Sequence, residues 1–148
     1  MWVTDVMSTN VRTVDARDTI EHASAVMHDA GVHHLVVLSG GQMIGLVSAD
    51  RLERGQAEGI LRVEDVMRRH VQCAPTDATL AQAAALLRDE PAAALPIVSY
   101  GRVVGIVTVS DLLNVIASSG QLASDATRPP ATGRKSGARP VLAGDRSR

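Results

Sequence analysis

The chain repeats itself at a spacing of 60 residues. Aligning residues 3–52 with residues 63–112 makes 15 of the 50 positions identical, whereas unrelated sequences would match at about three or four of them, given average residue frequencies of roughly 7%. A duplication of this size constrains the fold before any local pattern is considered, because both halves must fold into the same kind of unit. The sequence therefore predicts two copies of one small module.

Each copy carries the same order of helix and strand signals. Asp18-Thr19 precedes an apolar helical pattern that ends at Gly31, and the corresponding pattern in the second copy begins at Asp77 and must end by Pro91. Two β-branched runs joined by a glycine-containing turn follow each helix and predict a hairpin. These runs are 34–38 with 43–47, and 95–98 with 102–108. A second helix is expected after each hairpin, at 50–54 and at 110–117.

A module of about 50 residues with one apolar sheet face is marginal by itself. Two copies packed sheet against sheet would bury those faces together and leave a cleft on either side of a pseudo-twofold axis, where two related small-molecule sites are expected. The predicted fold is therefore α+β, with two small sheets and their helices around that axis. The predicted boundaries are 1–56 for the first motif, 57–117 for the second, a linker at 53–62 and a disordered tail at 118–148.

Charge and composition argue against several classes of protein. The formal net charge is −1 and the only aromatic residues are Trp2 and Tyr100, so neither a strongly basic surface nor a stacking platform for nucleic acid is expected. The single cysteine, Cys73, excludes a disulfide framework and a Cys-rich zinc site. No apolar run approaches the roughly 18 residues that cross a bilayer, so we expect a cytoplasmic protein without membrane contact.

Several motifs in both copies resemble the CBS domain family, which takes its name from cystathionine β-synthase. The resemblance covers residues 1 to about 117. It is carried by Val3–Met7 and Val63–Met67, by His33–Leu38 and Leu95–Val98, and by Gly45–Ser48 and Gly105–Leu112. It implies a pair of CBS motifs, called a Bateman module, that binds AMP, ADP, ATP or S-adenosylmethionine, forms a homodimer and regulates a separate protein. It implies no required cofactor.

The resemblance also implies which residues hold the ribose of such a ligand. In the family, a hydroxyl and a carboxylate at the start of the last helix of a module bind the sugar, and they correspond here to Thr108 and Asp111. An ionised carboxylate can accept from two adjacent hydroxyls, and each charge-assisted hydrogen bond contributes roughly 1.5–3 kcal/mol when shielded from water. Simple helix capping would also explain an Asp at this place.

The first copy departs from the motif and predicts a degenerate second site. Ser48 matches Thr108, but Arg51 occupies the position of Asp111 and the carboxylate moves one residue earlier, to Asp50. Since Arg only donates hydrogen bonds, it cannot accept from a diol. Arg51 would have to serve a phosphate instead, or Asp50 would have to reorient.

The other ligand contacts are expected from the first copy. By resemblance, His33 and His34 would bind phosphate in the same cleft as Thr108 and Asp111, whereas the other cleft would combine Arg51 with Ala93 and Ala94 and lack both features. The base is expected against Val11, Arg12 and Thr13. Two alternatives stay open for the histidines: exposed side chains without a role, and zinc ligands together with His28.

No arrangement typical of a catalytic site occurs in the sequence, so the chain is not expected to be an enzyme. The favoured function is a sensor of an adenosine-containing ligand that changes how its modules or its dimer pack and so regulates an unidentified partner. The alternative is a structural or dimerisation module that binds no ligand. A third possibility is a nucleic-acid contact through the tail, which holds six basic and two acidic residues.

Overall fold

A computed structural model describes the backbone of residues 1–127 and the side chains of residues 1–118. The chain divides into two compact units, Met1–Leu112 and Leu113–Arg148. The first unit contains both sequence repeats up to the first turn of the last helix, and the described part of the second unit is the continuation of that helix. Across the described residues, none of the helices is both long and apolar enough to span a bilayer.

Both repeats fold into the same small module of three strands and two helices. Module 1 consists of β1 (Thr13–Asp15), α1 (Ile20–Ala30), β2 (His34–Ser39), β3 (Gln42–Ser48) and α2 (Ala49–Ala57). Module 2 consists of β4 (Ala74–Pro75), α3 (Leu80–Arg88), β5 (Ala94–Ser99), β6 (Arg102–Thr108) and α4 (Val109–Thr127). In each sheet the middle strand pairs in parallel with the short first strand and antiparallel with the third. The predicted α+β class is confirmed.

The first helix of each module begins at the predicted capping threonine. The side chain of Thr19 accepts from the backbone N–H of His22, and that of Thr79 accepts from Gln82, which satisfies an N–H group that a helix start leaves unpaired. Helix α1 ends at Gly31, whose φ of 68° lies in the left-handed region that glycine adopts without a steric penalty.

The two modules exchange the short segments that precede their first strands. Val3, in a 3-10 turn at the start of the chain, is fully buried in the core of module 2 with Leu95 and Val107. Val63, at the equivalent place before module 2, is fully buried in the core of module 1. Each core is therefore completed by the other repeat, which the sequence did not predict.

The sheets pack against each other through apolar side chains, as predicted. Val36 and Leu46 of module 1 form one buried cluster with Ala94 and Ile106 of module 2. Because this cluster lies between the sheets, the residues at the ends of β3 and β6 come to lie beside the opposite module.

Two predicted element ends need correction. Helix α2 continues to Ala57 through the first half of the predicted linker, and its Gly55 is buried against Val66 and Ile20. Helix α4 was expected to end at Ala117 but continues to Thr127, so the first ten residues of the predicted tail are helical. Gly120 does not stop it, since one glycine inside a helix costs only about 1 kcal/mol. Residues 128–148 of the predicted tail lie outside the described residues.

Candidate functional site

A cleft of about 410 Å³ lies between the two modules, and we call it the Asp111 cleft. Its walls come from both repeats. They include Ser8, Asn10, Val32, His33 and His34 from the first and Ala93, Ile106, Thr108, Val109, Ser110 and Asp111 from the second. The structure thus brings the residues expected for the ribose together with those expected for phosphate.

Thr108 and Asp111 hold each other at the start of α4. The backbone N–H of Asp111 donates to Thr108 Oγ1 at 3.2 Å, and the backbone N–H of Thr108 donates to Asp111 Oδ2 at 2.9 Å. This reciprocal pair is a capping box, so both residues do cap the helix. A carboxylate offers about four lone-pair positions on two oxygens, and the capping bond uses one of them.

His34 is half-buried at the start of β2 and lines the cleft beside His33. Burial lowers the pKa of His34 below 6.5, and the nearby His33 lowers it further. A backbone hydrogen bond with Ala92 and the charges of Asp111 and Asp50 act in the opposite direction. The imidazole of His34 is therefore neutral at pH 7 and lies within electrostatic range of two carboxylates.

Ser8 and Asn10 are cleft residues that the sequence analysis missed. Ser8 exchanges two backbone hydrogen bonds with Ile106 of β6, at 2.9 and 3.0 Å, and the Asn10 side chain donates to the Ala30 carbonyl at 3.1 Å. Both belong to the exchanged segment, and only knowledge of that exchange could have placed them here.

The residues expected at the base do not line the Asp111 cleft. Val11 packs against the apolar cluster between the sheets. Arg12 and Thr13 are exposed at the start of the short strand β1.

A second cleft of about 380 Å³ lies at the equivalent end of module 1, and we call it the Arg51 cleft. Ser48, Asp50 and Arg51 line it, as the repeat predicts, together with Arg54, Arg68 and the segment Pro91–Ala93. His33 and His34 line this cleft as well as the Asp111 cleft. The expectation that this cleft lacks the histidines is therefore wrong, because the start of β2 lies between the two clefts.

Arg51 occupies the third position of α2, where its counterpart Asp111 caps α4. Its backbone N–H donates to Ser48 Oγ at 3.3 Å, and its side-chain Nε–H donates to the carbonyl of Val66. Burial lowers the pKa of Arg51, and the positive charges of Arg68 and Arg54 lower it further. The guanidinium is thus held in place among like charges.

Glu90 positions the segment that closes the Arg51 cleft. The side chain is only 9% exposed, and its two oxygens accept from the backbone N–H groups of Gln72 and Ala92 at 3.0 and 3.2 Å. Ala93, three residues after Glu90, has a φ of 58°. The residue of the first repeat that corresponds to Glu90 is Ala30, so the repeat did not predict this role of Glu90.

Within residues 1–118, no group of three or more His, Cys, Asp or Glu side chains could hold a metal ion. The arrangement of His28 with His33 and His34 therefore does not form the zinc site considered from the sequence. Burial raises the pKa of the Cys73 thiol, and the charge of Glu90 raises it further, which disfavours the reactive thiolate.

Comparison with known proteins finds relatives that match most of this chain. The homoserine O-acetyltransferase of Methanosarcina acetivorans is 33% identical over 108 residues, which are 72% of this chain and 20% of that protein. The chain thus spans about a fifth of the length of that relative. The CBS domain-containing protein YhcV of Bacillus subtilis is 30% identical over 114 residues, which are 74% of this chain and 81% of that one.

Solved structures share the fold. The CBS domain pair of protein MJ0100, in complex with 5-methylthioadenosine and S-adenosyl-L-methionine, has a TM-score of 0.73 at 24% identity and covers 80% of this chain and 98% of that one. CBSX2, from Arabidopsis thaliana, in complex with AMP has a TM-score of 0.67 at 22% identity, with 80% and 98% covered. The family model of the CBS domain matches twice, at residues 3–57 and 63–118. The chain therefore belongs to the CBS domain family, as a tandem pair of the domains.

Proposed function

We propose that this CBS domain pair senses an adenosine-containing ligand in the Asp111 cleft and thereby regulates a separate protein. One observation carries the proposal: Thr108 and Asp111 from one repeat and His33 and His34 from the other line a single cleft. A ligand held by both sets would join the two modules.

The ribose would bind at the start of α4. Asp111 Oδ2 already accepts from the Thr108 backbone, which fixes the direction of the carboxylate. Its remaining lone pairs can accept from the two hydroxyls of a ribose, and the Thr108 hydroxyl can donate to or accept from the same sugar. Each charge-assisted bond would contribute about 1.5–3 kcal/mol.

The rest of the ligand would meet the opposite wall. His33 and His34 would face a phosphate or another anionic group, and the apolar side chains of Val32, Ile106 and Val109 would cover part of the base. Contacts of the base with Val11, Arg12 and Thr13 stay a prediction that the lining of the cleft does not favour. The complexes of MJ0100 and CBSX2 support an adenosyl ligand as the class.

Regulation would follow from the position of the cleft between the modules. A ligand that contacts both modules stabilises the arrangement in which all contacts form, by as much as its extra binding free energy in that arrangement. We propose that a homodimer of this chain transmits the change to a partner protein in the cytoplasm, and that the pair itself performs no catalysis.

The test is a thermal-shift and calorimetric titration with AMP, ADP, ATP, S-adenosylmethionine and 5-methylthioadenosine. We expect at least one of them to raise the melting temperature of the wild type, with Asp111→Asn removing the shift and Asp50→Asn leaving it in place. Asn keeps an oxygen for the Thr108 N–H, so the helix cap survives this change. The proposal fails if none of the five ligands binds at millimolar concentration, or if Asp111→Asn binds as well as the wild type.

A structural module without a ligand is the second candidate function. The capping box between Thr108 and Asp111 favours it, because stability alone would then explain both residues. In that case Asp111→Ala lowers the melting temperature, and no nucleotide changes it for any variant.

A further inference from the structure

The two clefts differ in charge at positions that the repeat makes equivalent. Asp111 and Asn114 of the second copy correspond to Arg51 and Arg54 of the first. Ser8 of the first copy corresponds to Arg68 of the second. The Arg51 cleft therefore has arginines at three positions, two from the first copy and one from the second, whose equivalents are one acid and two neutral residues. The single change in the other direction replaces Ser110 by Asp50.

The structure brings the three arginines to one cavity. Arg51, Arg54 and Arg68 all line the Arg51 cleft, and Asp50, His33 and His34 are the other titratable side chains along its wall. Along this wall, three arginines face the single carboxylate of Asp50. Burial together with Arg68 and Arg54 lowers the pKa of Arg51, so the like charges lie close enough to oppose one another, and a bound anion would relieve that repulsion.

The three arginines are positioned at the cleft in different ways. Arg68 is fixed by two backbone hydrogen bonds with Leu46 of β3, at 2.7 and 3.0 Å. Arg51 is fixed by its Nε–H bond to the Val66 carbonyl, which leaves the four donors on its terminal nitrogens for other acceptors. Arg54 lies one turn further along α2. The hydrogen bond of the Arg51 side chain lowers the cost of ordering that side chain when a ligand binds.

The helix at this cleft also favours an anion. Arg51 is in the first turn of α2, where the helix macrodipole disfavours a cation. Asp111 at the same place in α4 is favoured by the dipole and takes part in the cap. An acid is the residue expected from helix stability, so the arginine needs another reason.

We propose that the Arg51 cleft is a separate binding site for a phosphate group, recognised through its oxygens and not through a ribose. Planar guanidinium groups donate two parallel hydrogen bonds to phosphate, and the hydroxyl of Ser48 adds a further donor at the cleft. The site lacks the carboxylate that would accept from a diol at the third position of the helix. It would therefore take a phosphorylated compound without Thr108 or Asp111, although His33 and His34 line both clefts.

Calorimetric titration of the full chain with inorganic pyrophosphate tests this proposal. We expect binding by the wild type and a loss of about tenfold or more in affinity for Arg54→Gln and for Arg68→Gln, since each removes charged hydrogen bonds. Two variants are needed because Arg51→Gln also removes a contact to Val66 and could unfold α2. Arg69→Gln is the control, as Arg69 is exposed, lines neither cleft and carries the same charge.

A double dissociation separates this site from the Asp111 cleft. Asp111→Asn should leave pyrophosphate affinity unchanged, and Arg68→Gln should leave the thermal shift by phosphate-free 5-methylthioadenosine unchanged if that compound binds. If Asp111→Asn still binds ATP and the further change Arg68→Gln removes that binding, the phosphate belongs to a nucleotide. If pyrophosphate binds and ATP does not, the ligand is a free anion. The proposal is overturned if pyrophosphate does not bind, if Arg69→Gln weakens binding as much as Arg68→Gln does, or if Asp111→Asn abolishes it.

Discussion

At the scale of single residues, one position of the repeat gives the two clefts opposite charge, with Asp111 in one and Arg51 in the other. Asp111 and Arg51 follow equivalent strands, β6 and β3, and both occupy the first turn of the helix that comes next. The carboxylate joins the helix cap and faces the Asp111 cleft, while the guanidinium reaches across to the Val66 carbonyl and joins two other arginines. The hairpins that lead to the two positions have the same strand register in both modules, so the difference between the clefts at this position is one of side-chain chemistry.

His34 makes the stability of the pair depend on pH. Its pKa is lowered from 6.5 in the folded state, mainly by burial, so the unfolded chain binds more protons as the pH falls below 6.5. Its contribution to stability is therefore fully present above pH 6.5 and is lost as the pH falls from 6.5 toward the lowered value. We expect the melting temperature to fall over this range, and His34→Gln to make that fall shallower in thermal melts from pH 7.5 to 5.

His28, one of two exposed histidines of α1, provides the control for this prediction. His28→Gln should keep the wild-type slope, because His28 is exposed on the helix surface. Equal slopes for the wild type and His34→Gln would mean that burial of the imidazole carries no cost in the folded protein.

At the scale of elements, the strands β3 and β6 accept the exchanged segments at a glycine. A Cβ added to Gly45 would lie 2.5 Å from the carbonyl oxygen of Arg68. The Arg68 backbone cannot easily move away, because its N–H and its carbonyl both form hydrogen bonds with the Leu46 backbone. A Cβ added to Gly105 would meet the flexible side chain of Met7 first and the Ser8 carbonyl oxygen at 3.1 Å. Close approach of two backbones explains both glycines of the family motif.

These two glycines should differ in their tolerance of alanine. Gly45→Ala must push the Arg68 backbone away, and we expect a loss of about 3 kcal/mol in the free energy of unfolding. Gly105→Ala can be accommodated by a new rotamer of Met7, and we expect a loss of about 1 kcal/mol. Urea unfolding measures both values, and an equal or reversed order would contradict the described contacts.

The helices and strands could be predicted from the sequence because the residue patterns that mark them are local. Thr19, Thr79 and Gly31 mark helix ends, and the β-branched runs mark the hairpins. The exchange of segments could not be predicted from the sequence. Val3 and Val63 are the same residue type, and the hydrophobic pattern does not indicate which core each of them enters. The end of α4 was also missed, because Ser118-Ser119-Gly120 is typical of a loop and the helix continues through it.

At the scale of the whole molecule, the exchange makes each repeat dependent on the other. The cores of both modules contain a fully buried valine from the opposite repeat, and the two sheets share a third cluster. A module of this size would be marginal alone. We therefore expect the pair to unfold in one cooperative step.

Trp2 offers a probe for that cooperativity. It lies beside Val3 and pairs with Thr79 of module 2, so its fluorescence reports the exchanged segment, while far-UV circular dichroism reports both modules. The two transitions should coincide in urea. Val3→Ala should lower the free energy of unfolding by about 2 kcal/mol, as should the matched variant Val63→Ala, with the transitions still coincident. An earlier transition of Trp2 alone would show that the segment detaches first.

The arrangement of the clefts was predicted in part. The family resemblance implied that Thr108 and Asp111 would share a cleft with His33 and His34, and the structure places them together. It did not predict that the histidines reach both clefts, because that depends on how the start of β2 lies between two helix N-termini. The cluster of Arg51, Arg54 and Arg68 needed the packing of the exchanged segment, although the pairing of Ser8 with Arg68 was visible in the aligned repeats.

A calorimetric cycle with AMP and 2′-deoxy-AMP, run on the wild type and on Asp111→Asn, shows whether the Asp111 carboxylate accepts hydrogen bonds from a ribose. In the wild type, removal of the 2′-hydroxyl should weaken binding about tenfold, the effect of one charge-assisted hydrogen bond. In Asp111→Asn, AMP should bind more weakly and the same removal should change affinity by less than about threefold. An equal loss in both proteins would show that the carboxylate does not contact the sugar.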